Sequence, residues 1–343
     1  MMREIGVGLI GYGLAGRVFH APFVALTPEL ALRAVVSRDV AKVHAGLPGM
    51  AVVPDVATLL ARPDVDLVIV ASPDEFHAEH AIAALQAGKH VVVDKPFATS
   101  AADARAMAEA ANAGGKMLTA FQNRRWDADF LTLRRLIGEG RLGEIVHFES
   151  HFDRWRPVPA DVWKEARAGG SWLDLGPHLV DQALCLFGRP DAVTADLAAL
   201  RPGAPAPDWF HVVLHYPGRR AVLRSSKMAA DHSLRFAVHG TGGSWIKPGI
   251  DPQEPAILAG GAPGGPDWGL DPVIGHFTDG ADPSQSAPVP NERGDYRLFW
   301  QALADALNGK GDNPVPAEQA IAVMEVLEAG MASAEQGRRI SLS

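Results

Sequence analysis

Short apolar runs alternate with helix-periodic stretches over the first third of the chain. Ile5–Ile10, Ala31–Val36, Leu67–Ala71, His90–Val93 and Met117–Phe121 are mostly β-branched or aliphatic and lack polar alternation, the pattern of strands buried on both faces. Between them, His77–Ala87 and Ser100–Ala113 repeat alanine and leucine at helical spacing, and Gly88 and Gly114 supply the stops. This alternation predicts a doubly wound parallel sheet.

After Phe121 the pattern changes. Asp127–Ile137 predicts a helix, Ile145–Phe152 an alternating strand, and about Pro177–Phe187 a further helix with Pro177 in its first turn. Phe210–Tyr216, Arg219–Ser225 and Ser233–His239 follow in hairpin-like succession, with Pro217-Gly218 turning the first into the second. They predict a mainly antiparallel sheet with one open face. Lys247–Gly294 holds 18 Gly or Pro in 48 residues and reads as a long irregular excursion. Tyr296–Leu307 and Ala317–Ala332 predict two closing amphipathic helices.

Composition narrows the class. A chain of 343 residues with 47% hydrophobic and 21% charged residues is globular and long enough for two domains. We place them at 1–122 and 123–343. A net charge of −8 offers phosphate backbones no general attraction, which argues against a nucleic-acid partner. The single cysteine, Cys185, can make neither an internal disulfide nor a thiolate cluster, and with no apolar window of about 18 residues the expectation is a cytoplasmic protein without a membrane partner.

The first strand runs directly into Gly11-Tyr12-Gly13-Leu14-Ala15-Gly16, and helical sequence begins at about Leu14. Gly11 permits a tight turn, Gly13 lets the backbone approach a pyrophosphate, and Gly16 lets the helix pack close to the strand. The helix N-terminus then offers N–H groups to the phosphates. Three glycines at this spacing are a weak signal alone, but the strand-turn-helix setting is the one dinucleotide binding requires. The second strand ends in Ser37-Arg38, followed by Asp39. A hydroxyl and a guanidinium suit a 2′-phosphate better than a free ribose diol, so NADP(H) is preferred over NAD(H), which Asp39 would favour.

The fifth strand delivers Asp94-Lys95-Pro96 to the carboxyl end of the sheet, where ligands of such sheets gather. There Lys95 can stabilise negative charge developing on a substrate oxygen. Asp174 and Asp181 flank His178 in the stretch from Gly169 to Asp181. With Pro177 in the first turn, the helix dipole would favour neutral His178, the form a general base requires, while the two carboxylates act the other way. His77 and His80 are three apart on a helix, but no third ligand lies nearby and we expect no metal. His77 follows Ala71-Ser72-Pro73-Asp74, which suggests a place beside the cofactor.

Taken together, Gly11–Gly16, Ser72-Pro73 with His77, Asp94-Lys95-Pro96, and Asp174 with Gly176, His178 and Asp181 resemble the glucose-fructose oxidoreductase, inositol dehydrogenase and rhizopine-catabolism (Gfo/Idh/MocA) family over nearly the whole chain. The resemblance implies an α/β protein with an N-terminal Rossmann domain, built on a parallel sheet, and a C-terminal α/β domain whose open, mainly antiparallel sheet forms a homodimer or homotetramer. It implies a catalytic set of Lys95, Asp174 and His178, with His178 accepting the proton in alcohol oxidation. The implied cofactor residues are Gly11, Tyr12, Gly13, Leu14, Ala15, Gly16, Ser37, Arg38, Ala71, Ser72, Pro73, His77, Asp94 and Lys95. Two positions depart from the family pattern, which usually has Glu at Asp94 and Asn at Asp74.

Gly11–Pro22, Gln122–Phe130, Asp174–Gly188 and Lys247–Trp268 are similar to the subgroup containing NADP-dependent scyllo-inositol dehydrogenases. That similarity implies a small polyol or sugar substrate with Asn123, Arg124 and Trp163 at its binding site. The expected function is an NADP(H)-dependent oxidoreductase interconverting a ring hydroxyl and ketone. Two alternatives share the fold: an NAD-dependent glycoside hydrolase, and a non-catalytic sensor of nucleotide or sugar.

Overall fold

A computed structural model describes residues 4–160 and 169–342. The chain divides into two compact units: Met1–Asn123 with Glu254–Trp268 and Tyr296–Met324, and Arg124–Gln253 with Gly269–Asp295 and Glu325–Ser343.

The first unit holds a parallel six-stranded sheet ordered β3-β2-β1-β4-β5-β6. Its strands are β1 (Ile5–Ile10), β2 (Leu30–Val36), β3 (Val52–Val53), β4 (Leu67–Val70), β5 (His90–Val93) and β6 (Leu118–Ala120). β1 and β4 are buried throughout, as their unbroken apolar runs require. Strand order reverses between β1 and β4, creating a switch point beyond their carboxyl ends where ligands of such sheets bind. The intervening helices are α1 (Ala21–Ala25), α2 (Val40–Gly46), α3 (Val56–Leu60), α4 (His77–Gln86) and α5 (Ala101–Gly114). Asp39, Asp55 and Ser100 cap α2, α3 and α5 by accepting the N–H of Lys42, Thr58 and Asp103.

In the second unit, α6 (Ala128–Gly138) precedes β7 (Ile145–His151), and α7 (Gly170–Phe187) precedes β8 (Ala192–Ala198), β9 (Trp209–Tyr216), β10 (Arg219–Ser226), β11 (Leu234–Gly240) and β12 (Gly243–Pro248). β13 (Gly275–Asp279), β14 (Ser286–Val289) and β15 (Ile340–Ser341) complete a nine-stranded sheet ordered β14-β13-β12-β11-β7-β10-β9-β8-β15. β7 and β10 pair in parallel, and the other neighbours are antiparallel. One face buries Phe148, Phe210, Val212, Leu214, Leu223, Phe236 and Trp245 completely, with α7 packed against β9 and β10. On the other face His147, Glu149, His211, Val213 and Arg224 stay partly exposed, the alternation of a sheet with one open side.

Two expectations are corrected and one strand is added. The helix assigned to Pro177–Phe187 starts two turns earlier at Gly170 and carries Pro177 in its interior. Residues 247–294 are not wholly irregular, since they hold the end of β12, α8 (Gln253–Leu258), β13 and β14. β8 lies between the predicted helix and the predicted hairpins. The closing helices are α9 (Arg297–Leu307) and α10 (Ala317–Gln336); Phe299, Trp300, Leu303 and Ala304 give α9 one buried stripe. Among the described residues no helix is long and apolar enough to cross a membrane.

Candidate functional site

In the first unit, the glycine turn follows β1. Gly11 has φ 96°, and a Cβ there would stand 2.5 Å from the Ala71 carbonyl oxygen; only glycine permits both the backbone angle and the approach. A Cβ on Gly16 would stand 2.2 Å from the Gly11 oxygen. Around Gly13 a Cβ would meet nothing within 4 Å, so its lack of a side chain answers no neighbour in the protein. Open backbone at the start of a helix is the form a phosphate cradle takes. Helical winding begins at Leu14 and Ala15, and the next turn, Gly16–His20, is π-wound, the Ala21 N–H reaching back to the Gly16 oxygen. Leu14 is exposed, whereas Tyr12 is buried with its hydroxyl beside Gly46.

Beyond β2, Arg38 is exposed. Asp39 accepts the Lys42 N–H at 2.9 Å as the cap of α2 and donates its own N–H to Ser37 Oγ at 3.1 Å. Asp39 Oδ1 is thus engaged in starting a helix, and Ser37 Oγ in turn donates to the Asp39 carbonyl oxygen at 3.3 Å. Beyond β4, Ser72 Oγ lies 3.0 Å from His80 Nδ1, and burial lowers the His80 pKa. His77 is buried, with Nδ1 2.8 Å from the Pro96 oxygen and Nε2 2.9 Å from the Ser72 oxygen.

After β5, Asp94 Oδ1 accepts the Lys95 N–H at 2.9 Å. Asp94 Oδ2 stands 3.7 Å from Nε2 of His20, a fully buried histidine packed against Phe121 and Trp300. Burial raises the Asp94 pKa, but His20, the charge of His77 and the Lys95 N–H together hold the carboxyl below the usual range. Thus Gly11–Gly16, Ala71–Pro73, His77, Asp94 and Lys95 share the carboxyl edge of the first unit's sheet. The residues fit a dinucleotide: an open Gly13 backbone, a helix start, and an exposed Arg38 beyond β2.

In the second unit, α7 begins at paired glycines. Gly169 and Gly170 have φ 74° and 50°, and a Cβ on Gly170 would stand 1.9 Å from the Pro207 oxygen, which accepts the Ser171 N–H at 2.7 Å. Trp172 anchors the helix by donating to the Leu327 oxygen at 3.0 Å. Starting the helix here puts His178 in mid-helix, so the dipole argument for its neutrality does not hold. It also puts Asp174 one turn before His178, on the same face. His178 is 6% exposed, and its ring lies 6.2 Å from Phe152.

Asp181 has another partner. Arg125 binds it through both guanidinium arms, Nε to Oδ2 at 2.8 Å and Nη2 to Oδ1 at 2.6 Å. Arg124 is buried, reaches Asp127 at 3.3 Å and lies over Phe152 at 5.0 Å. Arg235 approaches the same ring at 4.4 Å and donates to Asp129, Ser150 and Gln182. Gln182 in turn donates to the Arg124 carbonyl oxygen at 2.9 Å. Phe152, Arg125, Asp129, Gln182 and Arg235 are not among the residues singled out from sequence, although the stretches Gln122–Phe130 and Asp174–Gly188 contain Arg125, Asp129 and Gln182. Asn123 is buried in the turn before Arg124, and Trp163 lies outside the described residues.

Residues 5–122 match the model of an oxidoreductase family's NAD-binding Rossmann fold, and residues 134–342 match that family's C-terminal alpha/beta domain. The chain is similar to the oxidoreductase YdgJ of Escherichia coli, 47% identical with full coverage of both chains. It is also similar to the NADP(+) scyllo-inositol 2-dehydrogenase IolW of Bacillus subtilis, 37% identical over 98% of this chain and 96% of that one. Among solved structures, an oxidoreductase of Yersinia pestis superposes with a TM-score of 0.96 at 47% identity, covering 100% of this chain and 98% of the other.

Proposed function

The chain belongs to the Gfo/Idh/MocA oxidoreductase family, and from that premise we propose that it is an NADP(H)-dependent dehydrogenase interconverting a ring hydroxyl and a ketone on a cyclitol or sugar. The observation that carries the cofactor preference is the end of β2, where Asp39 is engaged as a helix cap and Arg38 is exposed. The activity of the Bacillus subtilis relative supports the substrate class.

Bound at the glycine turn, the dinucleotide supplies hydride chemistry. The chain supplies the proton chemistry and the positioning. In the oxidative direction His178 takes the hydroxyl proton. Lys95 donates a hydrogen bond to the same oxygen and stabilises the negative charge that grows on it. Asp174, one turn before His178, orients the pair. Asn123 and Arg124 bind substrate hydroxyls, with Arg124 braced by Phe152 and Asp127. Asp181 is bound by Arg125 and holds α7 rather than the reacting proton.

A panel of inositols, aldoses and keto-sugars, followed by nicotinamide absorbance with NADP(H) and NAD(H) in parallel, tests this reading. The expected result is turnover on a cyclitol or sugar, faster with NADP(H). Glycoside cleavage without net nucleotide change would replace it with the hydrolase, nucleotide binding without turnover with the sensor, and faster turnover with NAD(H) would overturn the role given to Arg38.

A further inference from the structure

Pro96 and Ser72 place backbone carbonyl oxygens 2.8 and 2.9 Å from the two ring nitrogens of His77. A carbonyl oxygen only accepts, and a neutral imidazole carries one N–H. In either neutral tautomer a nitrogen lone pair would face an oxygen lone pair at contact distance, inside a site where His77 is 2% exposed. Both contacts are favourable only when both nitrogens donate.

Ser72 is held from a second direction. Its hydroxyl lies 3.0 Å from Nδ1 of His80, three residues along α4 on the same helix face. The hydroxyl can donate there only if that nitrogen is unprotonated. The charge of His77 disfavours protonation of His80 and favours the ionised form of Asp94, and the charge of Glu79 acts on His80 in the opposite sense. His20 faces Asp94 from α1's preceding turn. The start of α4 is an unfavourable place for a cation; the two carbonyl oxygens and the Asp94 carboxylate act in the opposite sense.

We propose that His77 is a positioning residue, a buried imidazolium that ties the Ser72 turn to the Lys95-Pro96 turn, with His80 as its neutral counterpart on the Ser72 hydroxyl. The clamp joins the ends of β4 and β5, so it fixes where Lys95 stands on the cofactor edge of the sheet. The pair of histidines that resembles half a metal site in the sequence has instead divided the two protonation states between two bonds to one serine.

The kinetic consequence rests on the dehydrogenase reading; the protonation state does not. The whole protein, labelled with ¹⁵N-histidine and observed by NMR at neutral pH, is expected to show both ring nitrogens of His77 protonated and one of His80 protonated, with His77→Gln and His80→Gln supplying the assignments. A neutral His77 would overturn the proposal whatever the enzyme turns over. In the kinetic arm, with scyllo-inositol and NADP(+), folded His77→Gln is expected to lose about 10- to 100-fold in kcat through misplacement of Lys95. Unchanged kcat in folded His77→Gln would overturn the positioning role. Absence of turnover in the unaltered protein would count against the dehydrogenase reading and leave the NMR result to decide the clamp.

Discussion

Single residues differ in what holds them: Asp181 is bound by Arg125 and Asp208 by Arg201, whereas the role proposed for His178 is chemical. His178→Ala is expected to lower kcat by about 10² to 10⁴ if it is the proton acceptor, with dinucleotide affinity, read by fluorescence titration, unchanged. Arg125→Ala breaks a bidentate pair in which Asp181 is 2% exposed. Leaving that carboxylate buried and unpaired costs about 3–5 kcal/mol, which equilibrium urea unfolding will register. Asp208 gives a pH-dependent case. Burial raises its pKa, but the N–H groups of Leu200 and Arg201 and the Arg201 guanidinium lower it further, leaving it below the usual 3.8. Its contribution to stability is therefore complete above about pH 4 and is lost as pH falls through the lowered value. Asp208→Asn should remove that dependence, seen as a shallower loss of stability in acid.

At the scale of elements, the glycine turn offers the cleanest separation of folding from binding. Gly16→Ala forces a Cβ to within 2.2 Å of the Gly11 oxygen, whereas Gly13→Ala meets nothing within 4 Å. Gly13→Ala is expected to fold with unchanged thermal stability and bind NADP(H) at least about tenfold more weakly; Gly16→Ala is expected to lose stability first. The turn was legible in sequence because its glycines sit between an apolar run and a helix. β1, β4 and β5 were legible because burial on both faces leaves an unbroken apolar run. β14 was not, since it is exposed except at Val289 and contains Pro288, tolerable on an edge strand but opposed to strand in isolation. The start of α7 was misplaced because Pro177 is favoured in a helix's first turn and here lies inside one, while the true start is set by the Pro207 carbonyl from a distant segment. Asp181's partner was hidden for the same reason, Arg125 being 56 residues away in sequence.

At the scale of the whole molecule, the fold class, the family and the nucleotide edge of the first unit follow from local pattern, whereas the network around Phe152 depends on pairings that only the folded chain reveals. The second unit's sheet leaves alternate residues of β7, β9 and β10 partly exposed. We expect this open face to pair with another copy, and sedimentation should show a dimer or tetramer; a 36.4 kDa species alone would contradict it. Passage of hydride between a ring carbon and NADP is tested directly by isotope transfer. Scyllo-inositol deuterated at carbon is incubated with the protein and NADP(+), and the nucleotide is weighed by mass spectrometry. The expected product is NADPH carrying one deuterium, formed faster than the corresponding NADH. Ketone formation without deuterium in the nucleotide, or no reduction of either dinucleotide, would contradict the account.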